Sequence, residues 1–401
     1  MTARHQRYLS RRKLLTALAG AAVAAPAIAV IAPHALATAD PDDAGTKPAG
    51  ALPLTIVNNS GSYANSSVYV YIVGNQDGKQ VRVTPEGALA PISLSDNGAD
   101  GFTDYAIALS GSGETKLSLP YMSGRIYIAL GDKLKFKAVA DGNGVAALQY
   151  PAGWVASDPN YSVLHDCAEF TYNSSGMYCN TTMVDMFSVP LSIGLTGSED
   201  RTIGTLRDGG RAQAFAAVSE IPEFAPLVVD DRRIIAPGHG LDAGIFDKDY
   251  FAPYIDEVWS TYTGKDLTVT TNAGAFTGRV RGDRFVFDGP AQVSFSRPTT
   301  RDVLFCDGNL AAPNDGTTGP VAAVLGAGFN RSTLVSDPAQ PTTDPAGFYR
   351  ASQLTNHYSK AIHAATLDGK AYGFAFDDVA DFASYIQDTA PTGARLTLTP
   401  F

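Results

Sequence analysis

Short runs in which apolar and polar residues alternate fill the first half of the chain. Leu54-Thr55-Ile56-Val57 precedes an Asn-Asn-Ser-Gly turn, and Val68-Tyr69-Val70-Tyr71-Ile72-Val73 reads as a buried strand closed by Gly74-Asn75. Residues 80–84, 105–109, 116–119 and 125–129 predict further short strands, separated by turn clusters at 96–98 (Asp-Asn-Gly) and 141–144 (Asp-Gly-Asn-Gly). Many short strands at close spacing predict a sandwich or barrel. After Gly197 the period changes. Residues 210–218 read as a helix, and 248–262 carries Tyr250, Tyr254, Ile255, Val258 and Trp259 at helical spacing. Short strands are expected at 267–271 and 284–287, an Ala-rich helix at 319–329, and an amphipathic helix at 349–364. Residues 372–376 and 395–399 alternate again and are expected to close the first sheet. The organisation predicted is mainly β with an α/β part: a β-barrel domain at 52–195 plus 370–401, and a mixed α/β domain at 196–369. A wide cleft between two such domains would be a natural binding site.

The N-terminus reads as an export signal. Arg4 and Arg7 lead into Ser10-Arg11-Arg12-Lys13-Leu14-Leu15, a twin-arginine pattern, followed by an Ala-rich apolar run and Ala35-Leu36-Ala37. The expectation is a signal peptide at 1–37, a flexible leader at 38–51, and a secreted mature protein. An uncleaved membrane anchor is disfavoured, because the run is Ala-dominated, broken by Pro26, and ends in a small-x-small cleavage pattern.

Charge and residue counts then exclude several classes of function. With 40 acidic and 30 basic residues the formal charge is −10, which argues against nucleic acid and fits a neutral or basic partner. Cys167, Cys179 and Cys306 allow at most one disulfide, and the pairing stays open. Beyond the signal only His165, His239, His357 and His363 remain. They are scattered, without H-x-x-H, H-E-x-x-H or C-x-x-C spacing, so neither a metal nor another cofactor is expected. His357 and His363 read as ordinary helix histidines. No G-x-S-x-G elbow or P-loop occurs.

Candidate chemistry concentrates in residues 165–191. Two β-rich runs flank a break at 173–176, and each run holds one acid in apolar company: Glu169 between Ala168 and Phe170, and Asp185 between Val184 and Met186. A carboxylate so placed must be paired, hydrogen-bonded or open to a cleft. With a three-residue loop the two acids would share a face, Thr181 would sit opposite Glu169, and they would lie roughly 14 Å apart along the strands at about 3.4 Å per residue. A two-residue loop would put them on opposite faces, which would exclude the pairing.

The run C-A-E-F-T-Y-N followed by M-V-D-M-F-S-V-P resembles the catalytic segment of glycoside hydrolase family 64, bacterial β-1,3-glucanases of the laminaripentaose-producing type. Further resembling segments are S-G-R-I-Y-I-A-L-G at 123–131, A-P-G-H-G-L-D-A-G-I-F-D at 236–247, Y-I-D-E-V-W at 254–259, C-D-G-N-L-A-A-P-N at 306–314, and the stretch 356–379. The resemblance implies a thaumatin-like fold, a β-1,3-glucan substrate and an inverting mechanism with Glu169 as general acid and Asp185 as general base. It also implies sugar contacts from Thr171 and Asn173, and a stacking aromatic at Tyr178, where the family is associated with Trp. Asp377 and Asp378 resemble the acidic pair late in thaumatin-like chains; ending a strand is their simpler account. A monomer is expected. Two other classes stand beside the hydrolase: a non-catalytic β-glucan-binding thaumatin-like protein, which would need neither acid in place, and a cell-envelope structural protein, for which no repeat or second anchor speaks.

Overall fold

The computed structural model describes residues 50–350 and 354–401; the predicted signal peptide and nearly all of the leader lie outside them. The chain forms two compact units. One comprises, among the described residues, 50–182, 186–211 and 385–401; the other comprises 183–185 and 212–384. The divisions thus fall at 211/212 and 384/385, where the sequence pattern suggested 195/196 and 369/370.

The first unit is a sandwich of two sheets. In the smaller, the strand Leu52–Asn58 pairs in parallel with Gly393–Leu398 and antiparallel with Thr115–Leu119, so the two ends of the described chain meet in one sheet. Alternation sets its faces: Leu52, Leu54 and Ile56 turn inward together with Ala394, Leu396 and Leu398. In the larger sheet, Tyr385–Asp388, Gly176–Thr181, Leu164–Asn173, Met122–Leu130 and Val68–Gln76 lie side by side. Its central strands are covered on both faces, which is why 68–73 reads as an unbroken apolar run. Val70, Ile72, Ile126, Ile128, Ala168 and Phe170 fill the core between the sheets. Tyr71, Val73, Tyr127 and Cys167 point the other way, into a second cluster around Phe136 and Tyr150. Burying a side chain such as Phe170 stabilises the fold by about 1.5–3 kcal/mol.

Gly74 and Gly124 sit opposite one another in this sheet. A Cβ on Gly124 would lie 2.2 Å from the Val73 carbonyl, and one on Gly74 would lie 2.1 Å from that of Ser123. No side chain fits there, and the strand carrying Arg125 approaches its neighbour closely for that reason.

The second unit is mixed. Val293–Ser296, Arg284–Asp288, Gly274–Arg281, Leu267–Thr271 and Ala339–Gln340 make one sheet in that order. The helix Ala252–Gly264 packs on it through Tyr254, Ile255, Val258, Trp259 and Tyr262. The helix Gly319–Asn330 is buried on almost every side, as its lack of charged residues allows. Two sequence expectations need correction. Among the described residues of the stretch 349–364 the helix is His357–Ala365, because the Asn356 side chain accepts the Ser359 N–H and starts the helix there. Residues 372–376 form no strand: the Gly373 N–H is bonded to the Asp377 carboxylate instead of to a ladder partner. The strand that precedes 395–399 and joins the large sheet is Tyr385–Asp388.

Asp377 does not end a strand. It is fully buried, with Arg331 Nη2 at 3.0 Å, His363 Nε2 at 2.8 Å and Ser359 Oγ at 3.3 Å. Burial works to raise its carboxyl, but His363, Arg331 and the Gly373 N–H outweigh that and hold it below the ordinary range. A depressed carboxyl contributes stability that is fully present above about pH 4 and is lost as pH falls through the lower folded value. Asp377→Asn should cost about 3–5 kcal/mol, because it leaves Arg331 buried without its counter-charge. Denaturant unfolding at neutral pH checks this, and the difference between variant and parent should shrink as the medium is acidified. A loss under 1 kcal/mol would contradict it.

Candidate active site

Glu169 lies in the middle of the strand Leu164–Asn173, and its two neighbours are set by register. Arg125 is directly opposite on one side and Asn180 directly opposite on the other. Glu169 Oε1 accepts from Arg125 Nε at 3.2 Å and Nη2 at 2.9 Å, and Oε2 accepts from Asn180 Nδ2 at 3.3 Å. The carboxylate is 3 % exposed and its guanidinium partner 9 %. Two guanidinium N–H groups thus converge on one carboxylate oxygen while the Asn180 amide holds the other, and charge-assisted bonds of this kind are stronger than neutral ones. The Arg125 Nη1 also reaches the Tyr127 hydroxyl at 3.4 Å.

The hairpin loop is two residues, Ser174 and Ser175, with Asn173 paired to Gly176. Of the two loop lengths the sequence left open, the two-residue one is present, and Thr181 lies opposite Ala168 rather than Glu169. The consequence drawn for Asp185 does not follow, because the alternation stops: the strand ends at Thr181, and the chain bends at Val184 and Asp185. Thr171 shares the face of Glu169, with its hydroxyl bonded to Ser123 Oγ at 2.9 Å. Asn173 uses its side-chain oxygen to accept the Ser175 N–H at 2.8 Å, closing the turn. Tyr178, opposite Thr171, is 3 % exposed and donates to the Ser175 carbonyl at 3.3 Å. Of the three candidate sugar contacts, Thr171 and Tyr178 thus flank Glu169 on its own face, and Asn173 serves the turn.

Asp185 is held by different means. Its Oδ1 lies 2.9 Å from His239 Nε2, and its backbone carbonyl accepts the Ala236 N–H at 3.1 Å. An ionised carboxylate only accepts, which makes Nε2 the protonated nitrogen of the imidazole. Asp185 is 17 % exposed and His239 18 %. His239 sits in the one-and-a-half-turn helix Pro237–Asp242, between two glycines that packing requires. A Cβ on Gly238 would meet the Phe305 ring at 3.0 Å, and one on Gly240 would meet a Leu227 methyl at 2.1 Å.

Arg125 and His239 were not selected from the sequence, although both sit inside the segments 123–131 and 236–247. Cys167, Cys179 and Cys306 are buried free thiols, and burial pushes the Cys306 thiol up to about 12 and the Cys179 thiol up as well, so neither is poised as a nucleophile. Among the described residues no group of three His, Cys, Asp or Glu side chains is arranged to hold a metal ion.

Two separately held carboxylates on a mostly β scaffold are the equipment of a glycoside hydrolase, and comparison with known proteins makes that class specific. The profile of the β-1,3-glucanases, glycoside hydrolase family 64, matches residues 50–398, so the chain belongs to that family. Glucan endo-1,3-β-glucosidases of Arthrobacter sp. (strain YCWD3) and Cellulosimicrobium cellulans are each 35 % identical over 413 aligned residues, spanning 99 % of this chain and 72 % of theirs. A laminaripentaose-producing β-1,3-glucanase solved with laminaritetraose superposes with a TM-score of 0.79 at 36 % identity, covering 87 % of this chain and 99 % of that one. The β-1,3-glucanase domain from Clostridium beijerinckii gives 0.77 at 30 % identity over 89 % of this chain and all of its own.

Proposed function

We propose that this chain is an exported, monomeric, inverting β-1,3-glucanase that releases short laminari-oligosaccharides, with Glu169 as general acid and Asp185 as general base. The observation that carries the reading is the row Arg125–Glu169–Asn180, a buried carboxyl aimed by two cross-strand partners. Burial opposes ionisation of the carboxyl. Arg125 favours the carboxylate, and so stabilises the charge that appears on Glu169 once the leaving oxygen takes the proton. Asp185 suits the opposite task. His239 donates to Oδ1, which steadies the carboxylate that a general base must present to water. An inverting pair needs carboxyl groups roughly 6.5–9.5 Å apart, with room for that water. The likeness to a laminaripentaose-producing enzyme supports oligosaccharide release.

The purified chain should release reducing sugar from a linear β-1,3-glucan and none from a β-1,4-glucan, with oligosaccharides of a few units as early products. Tight binding of β-1,3-glucan without any release would favour the alternative, a non-catalytic glucan-binding protein.

A further inference from the structure

We infer that His239 is the positioning residue of the reaction: its Nε2–H holds the Asp185 carboxylate in the orientation in which it accepts a proton from water. This rests on the reading of Asp185 as general base. The imidazole meets the carboxylate at 2.9 Å and is itself held from behind. The Phe305 ring stands edge-on to it, with centroids 5.4 Å apart and planes at 80°. Arg301 lies over that ring at 4.4 Å and binds Asp242 through Nε at 2.9 Å and Nη2 at 3.0 Å. Asp242 ends the helix that carries His239.

The chain of contacts therefore returns to its starting element: helix, Asp242, Arg301, Phe305, imidazole. The helix Thr300–Phe305 that supplies Arg301 and Phe305 is fixed at its start by a capping box between Thr299 and Asp302. Gly238 and Gly240 let the two helices and Leu227 close on the imidazole's backbone. Asp185 is tied to the same segment a second time, through the Ala236 N–H. Both the backbone and the side chain of Asp185 are thus referenced to residues 236–239, a placement that fixes where its second oxygen points.

A hydrogen bond to a charged group of this kind, removed, should cost roughly 10–100-fold in turnover. His239→Leu should lower kcat on linear β-1,3-glucan by about that factor while leaving KM near its parent value, the signature of a group that acts through Asp185 rather than on bound glucan. His239→Gln, whose amide nitrogen reaches the place of Nε2, should recover most of the loss. His239→Asn, whose amide reaches only as far as Nδ1, should not. In an Asp185→Asn background His239→Leu should add little or nothing, because the group it acts through is gone. Should His239→Leu fail to fold, the Gln and Asn variants still discriminate. Equal activity of those two, or an undiminished His239→Leu effect in the Asp185→Asn background, overturns the inference. An Asp185→Asn enzyme with near-normal turnover would instead overturn the assignment of the base, and with it the positioning role. A raised KM with unchanged kcat would place His239 in sugar binding and likewise overturn it.

Discussion

Glu169→Gln is expected to lower turnover on linear β-1,3-glucan by about 10²–10⁴-fold, the usual worth of a positioned general acid. The glutamine is nearly isosteric, and its amide oxygen can still accept from Arg125, so the strand pairing at residue 169 should persist. The fold and glucan binding should therefore survive, which thermal unfolding and co-sedimentation with insoluble glucan would show. The role also predicts a specific rescue. An aryl β-glucoside or laminarioside with a good leaving group needs little protonation as the bond breaks. On such a substrate, if accepted by the site, Glu169→Gln should lose much less than on glucan. Equal losses on both would assign Glu169 to something other than proton donation.

Asp185→Asn should cost a comparable factor, about 10²–10⁴-fold, but without that rescue. Water must be deprotonated whatever the leaving group, so the loss should be similar on the aryl substrate and on glucan. The asparagine can keep the hydrogen bond from His239 and the carbonyl bond from Ala236, so the local structure should persist. What disappears is an oxygen basic enough to take the proton. Azide or formate offered as an external nucleophile or base in the cavity left by Asp185→Ala should restore part of the activity of that variant. Retention of near-normal activity by Asp185→Asn would remove it from the reaction.

Much of the β scaffold was legible because its causes are local. The alternation of Leu52, Leu54 and Ile56 and the two-faced run at 68–73 state directly which faces are covered. Glu169 and Asp185 stand out in the sequence as acids in apolar surroundings, and the resemblance of their segments suggested the roles proposed for them. The features that escaped are non-local. Arg125 lies 44 residues before Glu169, and His239 lies 54 after Asp185, so nothing in the immediate sequence of either acid announces its partner. The loop length of the hairpin escaped for a related reason. Gly176 reads as a turn glycine, yet it pairs as a strand residue, and a Cβ there would lie 2.2 Å from the carbonyl of Asp388 on the next strand. The demand for glycine comes both from its own φ of +133° and from residue 388, far along the chain. Residues 372–376 show the same limit: their alternation is that of a strand, but the buried carboxylate of Asp377 takes the backbone N–H that a ladder would have used.

Proton NMR of the first product formed from a β-1,3-linked chain reads the stereochemistry before mutarotation can blur it. Attack by water activated at Asp185, with Glu169 protonating the leaving oxygen, inverts the anomeric carbon, so the new reducing end should appear as the α-anomer. Initial appearance of the β-anomer would mean a double displacement through a covalent glycosyl-enzyme, and would contradict the assignment of Asp185 as a base.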